Sequence, residues 1–238
     1  MTDYINIKGQ NIEVVSSDPS NPTSGQIWYN STTNIFKETA ATAAGTWASA
    51  TSLNTARNGL AGCGTQTAAL GFGGYTIAPT TTTATELYDG STWTSNPTGL
   101  NTARLYLAGC GTQTAALGFG GYSTAVTGAT EEYDGSTWTS SPGSLNTARN
   151  NLAGCGTQTA ALGFGQGAVP VSGATELYDG STWTSNPNSM GTGRYTLGGA
   201  GTQAAGLAFG GRTAVATVAN TEEFTGPGVA VTKTVTVS

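Results

Sequence analysis

The chain contains no histidine, which removes the commonest general base and the commonest metal ligand near neutral pH. Its three cysteines are an odd number, so no disulfide framework is expected. Charged residues make up only 9% of the chain, against about 25% in an average globular protein. The eight basic residues are scattered and offer no patch for nucleic acid. No apolar run approaches the roughly 18 residues that span a bilayer, which argues against membrane insertion. The opening stretch MTDYINIKGQNIEVV has no basic region followed by an apolar one, so a secretory signal peptide is not expected there. There is no Ser-His-Asp set, no HExxH, no P-loop and no CxxC, and no helical pattern follows the Gly-rich segments. Paired carboxylates at Glu131-Glu132 and Glu222-Glu223 would point to opposite faces of a strand. These absences predict no enzymatic activity, no cofactor and no bound metal.

Glycine, at 36 residues, is abundant among the 238, together with Thr, Ala and Ser. A net charge of −5 and aromatics at fixed spacing argue against a disordered chain of that composition. Internal repetition is the dominant feature. LAGCGTQTAALGFG begins at Leu60 and recurs at Leu107 and Leu152, and a diverged copy begins at Leu197. TELYDGSTWTS begins at Thr85 and recurs at Thr130 and Thr175; the fourth copy, at Thr221, has lost its tryptophan. LNTAR ends at Arg57, Arg104 and Arg149, with GTGR ending at Arg194.

Each unit predicts four short strands: LAGCGTQ, TAALGFGGY, ATELYD and STWTS. Asp89-Gly90, Asp134-Gly135 and Asp179-Gly180 predict tight type I′ hairpin turns, with positive φ at both residues. The stretches between turns are too short and too rich in Gly and Thr for helices. A four-stranded unit of this length is the pattern of a propeller blade. The unit also resembles the kelch motif. Gly73-Gly74, Glu86, Tyr88, Asp89, Trp93 and Arg104 carry the likeness in the first copy. Gly120-Gly121, Glu131, Tyr133, Asp134, Trp138 and Arg149 carry it in the second. In the third copy Gln166 replaces the second glycine, and the fourth has Phe224 for the tyrosine.

The expected fold is therefore all-β, a propeller of four-stranded kelch-like blades. Five blades are preferred and four are the alternative. Residues 1–18 read as an attachment segment with a possible first strand, 19–50 as a degenerate N-terminal blade, 51–225 as four repeats, and 226–238 as a closing strand. Trp47 aligns with Trp93, Trp138 and Trp183.

Several repeated residues admit two readings. Cys63, Cys110 and Cys155, with Ala200 in the fourth copy, are either a thiol ring or small buried residues, and the alanine favours the second. Arg57, Arg104, Arg149 and Arg194, with Glu86, Glu131, Glu176 and Glu222, are either a ligand-facing ring or scaffold pairs. The symmetry favours scaffold. The same holds for Gln66, Gln113, Gln158 and Gln203. Trp47, Trp93, Trp138 and Trp183 either stack on sugars or pack between blades, and packing is preferred. Tyr75, Tyr122 and Arg212 sit at the start of the loops that differ most between copies, so they are the candidate ligand-binding residues.

A second resemblance concerns biology. SDPSNPTSGQIWYNSTTNIFKETAATAAGTWAS, with Pro19 and Pro22, Gly25 through Asn30, and Gly45 to Trp47, resembles a stretch of bacteriophage tail and fibre proteins. It predicts a three-stranded meander with a Thr-Thr-Asn turn. The Gly/Thr/Ala kelch-like repeats are similar to virion proteins of marine and cyanobacterial phages. The resemblance implies a tail-fibre or capsid-surface component, assembled in the host cytoplasm and released by lysis. Other virion proteins would be its partners and a host-surface glycan its ligand, with homo-oligomers left open. A bacterial carbohydrate-binding propeller is the alternative.

Overall fold

The computed structural model describes residues 12–20, 26–38, 47–77, 80–167 and 170–226. The chain is all-β, with no helix and 18 strands in five sheets among those residues. Among the described residues no helix is long and apolar enough to cross a membrane. The chain divides into two compact units, residues 1–49 and 50–238.

The first unit holds β1 (Glu13–Val15), β2 (Ile27–Asn30) and β3 (Ile35–Glu38). The Thr32-Thr33-Asn34 turn joins β2 to β3 antiparallel, with Asn34 at φ 56°. β1, however, pairs with β2 in parallel. The meander expected from Ser17 onward is thus seen in its β2–β3 hairpin, while β1, before that segment, departs from the antiparallel pairing of a blade. Asp18, in the stretch just after β1, ties it to β2 and β3. The Asp18 carboxylate accepts from Trp28 Nε1 (3.1 Å), Asn30 Nδ2 (2.8 Å) and Lys37 Nζ (2.5 Å). These bonds, led by that from Lys37, hold its pKa down to about 2. Trp47 is fully exposed and residues 47–50 form no strand, unlike the expectation for GTWASA. Gly45, and with it the start of that segment, lies outside the described residues, as does 227–238 of the expected closing strand.

The second unit repeats one pattern four times. Sheet I is β4 (Ala61–Thr65), β5 (Ala68–Phe72), β6 (Thr85–Tyr88) and β7 (Trp93–Ser95). Sheet II is β8 (Ala108–Thr112), β9 (Ala115–Phe119), β10 (Thr130–Tyr133) and β11 (Trp138–Ser140). Sheet III is β12 (Ala153–Thr157), β13 (Ala160–Gln166), β14 (Ser172–Tyr178) and β15 (Trp183–Asn186). Sheet IV has β16 (Gly198–Gly201), β17 (Ala205–Phe209) and β18 (Thr221–Thr225). All are antiparallel between sequential neighbours. In sheet III, where Gln166 stands for the second glycine, the β13–β14 pairing runs on through a bulge between Phe164 and Gln166.

The first strands β4, β8, β12 and β16 lie side by side. The strand alternation then gives each sheet two different faces. One presents a phenylalanine and a threonine: Phe72 with Thr85, Phe119 with Thr130, Phe164 with Thr175. The other presents paired glycines beneath a tryptophan. Gly109 and Gly118 are register partners under Trp138, as Gly154 and Gly163 are under Trp183. A Cβ on Gly109 would lie 2.6 Å from the Phe72 ring, and one on Gly154 would lie 2.4 Å from that of Phe119. Glycine is needed there because the neighbouring phenylalanine takes the space. Trp138 then covers Phe72, ring centroids 4.7 Å apart, and donates its indole N–H to Thr85 Oγ1 at 2.9 Å. Trp183 does the same to Phe119 and Thr130. Such aromatic pairs add about 0.5–1.5 kcal/mol to the area they bury.

The Asp-Gly turns are placed as expected but are of a different type. Gly90, Gly135 and Gly180 have φ near +95°, while the aspartates stay out of the left-handed region. Each turn closes on an Asp N–H donated to the threonine three residues on, at 3.2 Å. The aspartate Oδ1 accepts the next two free N–H groups, at 2.7–2.9 Å. The side chain thus does what a second left-handed residue would do in a type I′ turn. These bonds lower all three carboxyls, Asp134 to about 2. A depressed folded-state pKa stabilises the fold above the unfolded value near 4 and loses that contribution as pH falls through the folded value. Carboxyl NMR titration of Asp134 should give a midpoint near 2; a midpoint near 4 would mean that the turn does not hold the carboxylate.

Candidate functional site

The repeated charges meet inside each sheet. Arg104 Nη2 donates to Glu131 Oε1 at 2.8 Å, and its Nη1 donates to the carbonyls of Gly120 and Ala129. Arg149 pairs with Glu176 at 2.7 Å, Arg57 with Glu86 at 3.2 Å and Arg194 with Glu222 at 2.9 Å. All four arginine side chains are 0% exposed, so the guanidinium fork has no access to a ligand. Burial lowers the pKa of Arg57, Arg104 and Arg149, and the facing glutamates oppose it. The second glutamate oxygen takes a backbone N–H from Asn54, Asn101, Asn146 or Gly191 at 2.6–2.7 Å. Each pair thereby ties the segment entering a sheet to the third strand of that sheet. Glu132 points the other way and accepts from Tyr178 of sheet III.

The arginine carbonyls serve too. Gly74 N–H donates to Arg104 O at 2.8 Å and Gly121 N–H to Arg149 O at 2.7 Å, each bond joining successive sheets. A Cβ on Gly73 or Gly120 would sit 2.7–2.8 Å from those carbonyls, which explains the doublet. Gln113, Gln158 and Gln203 each donate to two carbonyls of the preceding sheet, Gln113 to Ala69 O and Tyr88 O for example.

The thiols are weak donors to carbonyls of the next sheet: Cys63 to Thr112 at 3.5 Å, Cys110 to Thr157 at 3.7 Å, Cys155 to Thr202 at 3.6 Å. Burial pushes Cys63 up to about 12 and Cys155 to about 11; burial and then the flanking Cys63 and Cys155 raise Cys110. Protonated thiols are poor metal ligands. Among the described residues no cluster of three His, Cys, Asp or Glu is placed to hold a metal.

What remains free lies along one edge. Tyr75, Tyr122 and Arg212 occupy the same position in sheets I, II and IV. Each makes single bridges to the segment after the arginine and to the varied loop: Tyr75 to Asn58 and Thr81, Tyr122 to Leu105 and Val126, Arg212 to Tyr195 and Thr217. Tyr122 and Arg212 are exposed, and Tyr75 is half-buried. Beside them runs a row of left-handed residues: Gly59, Tyr106, Asn151 and Thr196, φ 48–62°. Tyr106, Asn151 and Thr196 each donate the N–H to the carbonyl of the one before, at 2.8–2.9 Å, linking all four sheets. Tyr106 is exposed and meets Tyr75 edge-on at 6.3 Å. Ile77 and Val215 project from the adjoining loops. Sequence reasoning missed Tyr106. The signal was there: the two residues between the repeated Arg and Leu read NG, LY, NN and YT, varied within otherwise constant sequence.

A cavity of about 480 Å3 opens between sheets III and IV, lined by Phe164, Thr175, Met190, Gly206, Glu222 and Phe224 among others. It occupies the place that Trp138 and Trp183 fill in the two preceding joints. The fourth copy has Val229 at that position, outside the described residues. Thr175 Oγ1 donates to Gly173 O instead of accepting an indole. The loss of that tryptophan is visible in the sequence; the cavity that it implies was not foreseen.

Compared with known proteins, the chain matches no family model and no curated protein.

Arg149→Met leaves Glu176 buried without its cation and should cost about 3–5 kcal/mol in urea unfolding. Arg212→Met, on the exposed edge, should stay within about 0.5 kcal/mol. Equal effects would contradict this division of roles.

Proposed function

We propose that the protein is a non-enzymatic binding module in which the four meander sheets are kelch-like propeller blades. In this reading it is a phage virion component, of a tail fibre or the capsid surface. The edge bearing Tyr75, Tyr106, Tyr122 and Arg212 faces a host-surface glycan. The reading is carried by one contrast. The repeated charged groups are engaged within the scaffold, while the residues that differ between copies gather on a single edge with rigid backbone and free aromatic faces. Aromatic faces with hydroxyls and one guanidinium suit sugar recognition by stacking and hydrogen bonding. The exposed groups on that edge include no acid–base pair. Of the two blade counts, the meander sheets number four; a fifth blade would have to come from the N-terminal sheet, whose β1–β2 pair is parallel.

Two measurements test the reading. Mass spectrometry of purified particles should find the chain in the virion; its absence from particles, with defined sugar binding retained, would favour the bacterial lectin. On a glycan array, Tyr122→Ser or Tyr106→Ser should lower retention about tenfold, the value of roughly 1.4 kcal/mol. Unchanged retention would remove this edge as the binding site.

A further inference from the structure

The joint between sheets has two halves, and the second unit ends with one unused half at each end. Within the second unit, sheet I is the first sheet, and none of the other three described there fills its glycine face. Among the described residues a Cβ on Gly62 would meet only a carbonyl of its own sheet, Leu70 O at 3.2 Å, where its counterparts Gly109 and Gly154 meet a phenylalanine ring. Tyr88 and Trp93 are half-buried, whereas Tyr133 and Tyr178 are 0% and Trp138 and Trp183 are 5% exposed. Gln66 is exposed, whereas Gln113, Gln158 and Gln203 reach carbonyls of the sheet before.

Sheet IV has the opposite half free. Phe209 is 43% exposed, against 0–3% for Phe72, Phe119 and Phe164. Thr221 is exposed, whereas Thr85 and Thr130, its counterparts, accept an indole N–H. Gly210 and Gly211 keep the left-handed doublet, φ 62° and 94°. Yet the nearest atom to a Cβ on Gly210 is Val218 O at 3.9 Å, where Gly73, Gly120 and Gly165 meet the following arginine's carbonyl at 2.7–2.8 Å. The doublet is shaped for a carbonyl that no described residue of this chain places there. Among the described residues, β4 and β16 lack the side-by-side packing of β4 with β8, β8 with β12 and β12 with β16.

We infer that the sheet IV face of one copy receives the sheet I face of a second copy, repeating the internal joint between molecules. Phe209, whose ring folds over Gly198 of its own sheet in the single chain, turns outward into the Gly62–Gly71 floor under Trp93. The Trp93 indole donates to Thr221 Oγ1, Gln66 donates to the carbonyls of Gly206 and Phe224, and Gly211 N–H donates to Arg57 O. Tyr88 donates to Glu223, as Tyr178 does to Glu132. The contact is head-to-tail, so it propagates until a ring closes or a filament grows. The inference goes beyond the proposed function and stands or falls without it.

Sedimentation velocity of the full chain over a concentration series tests it. The wild type should form species larger than a dimer. Gly62→Val, whose Cβ meets the Leu70 carbonyl at 3.2 Å, and Phe209→Ser, at a half-exposed site, should each be monomeric and remain folded by near-UV circular dichroism. A one-to-one mixture retains one intact knob and one intact hole, so it should give a dimer and nothing larger. A wild type that stays monomeric up to its solubility limit overturns the inference. So does a folded Phe209→Ser variant that associates as the wild type does, or a mixture that stays monomeric.

Discussion

The second unit depends on a phenylalanine ring of one sheet resting on a floor of glycines in the next. Two adjacent strands must present hydrogen where other residues carry carbon, at Gly109 with Gly118 and at Gly154 with Gly163. The tryptophan of the second sheet then roofs the ring, and a threonine of the first accepts its indole N–H. This joint explains a composition that otherwise looks ill-suited to a core. Glycine, threonine, an aromatic pair and a few buried leucines per repeat, such as Leu70, Leu100 and Leu107 in the first joint, interdigitate to fill the space between sheets.

The buried ion pairs have a different task. Isolated, a buried arginine would be costly; here each has a carboxylate and two carbonyls, and the carboxylate is itself capped by a backbone N–H. The pairs fix the path by which the chain enters each sheet and present the arginine carbonyl to the glycine doublet of the sheet before. Chemistry is thereby kept inside, and variation is left to the row of left-handed residues and the loops beside it. The edge is rigid where its backbone is bonded sheet to sheet and variable only in side chain, the combination that lets a repeated scaffold carry different contacts.

The repeats made much of this legible. Strand positions, the Asp-Gly turns and the inward tryptophans all follow from spacing. The turn type did not, because the Asp134 side chain substitutes for a second left-handed residue, and only the carboxylate geometry reveals that. In the N-terminal sheet the direction of β1 was not legible because alternation fixes faces, not direction: Asp18 bonds to Trp28 and Asn30 stabilise a parallel β1 that no local pattern encodes. Trp47 shares the motif of Trp93 but not its surroundings: Trp138 and Trp183 are buried where the sheet before supplies a phenylalanine, and Trp47 is fully exposed. Tyr106 escaped notice because it lies inside a constant segment, and its left-handed backbone is imposed by bonds to the neighbouring sheets.

The joint is tested most directly by a double-mutant cycle at Gly154 and Phe119. A methyl at residue 154 would press on the end of a ring that is 0% exposed and roofed by Trp183, so the ring cannot move aside. Gly154→Ala should therefore destabilise by about 1–3 kcal/mol in urea unfolding. Phe119→Leu, which vacates that space, should recover part of the loss, with a coupling of at least about 0.5 kcal/mol. Strict additivity of the two changes would contradict a structure built on this contact.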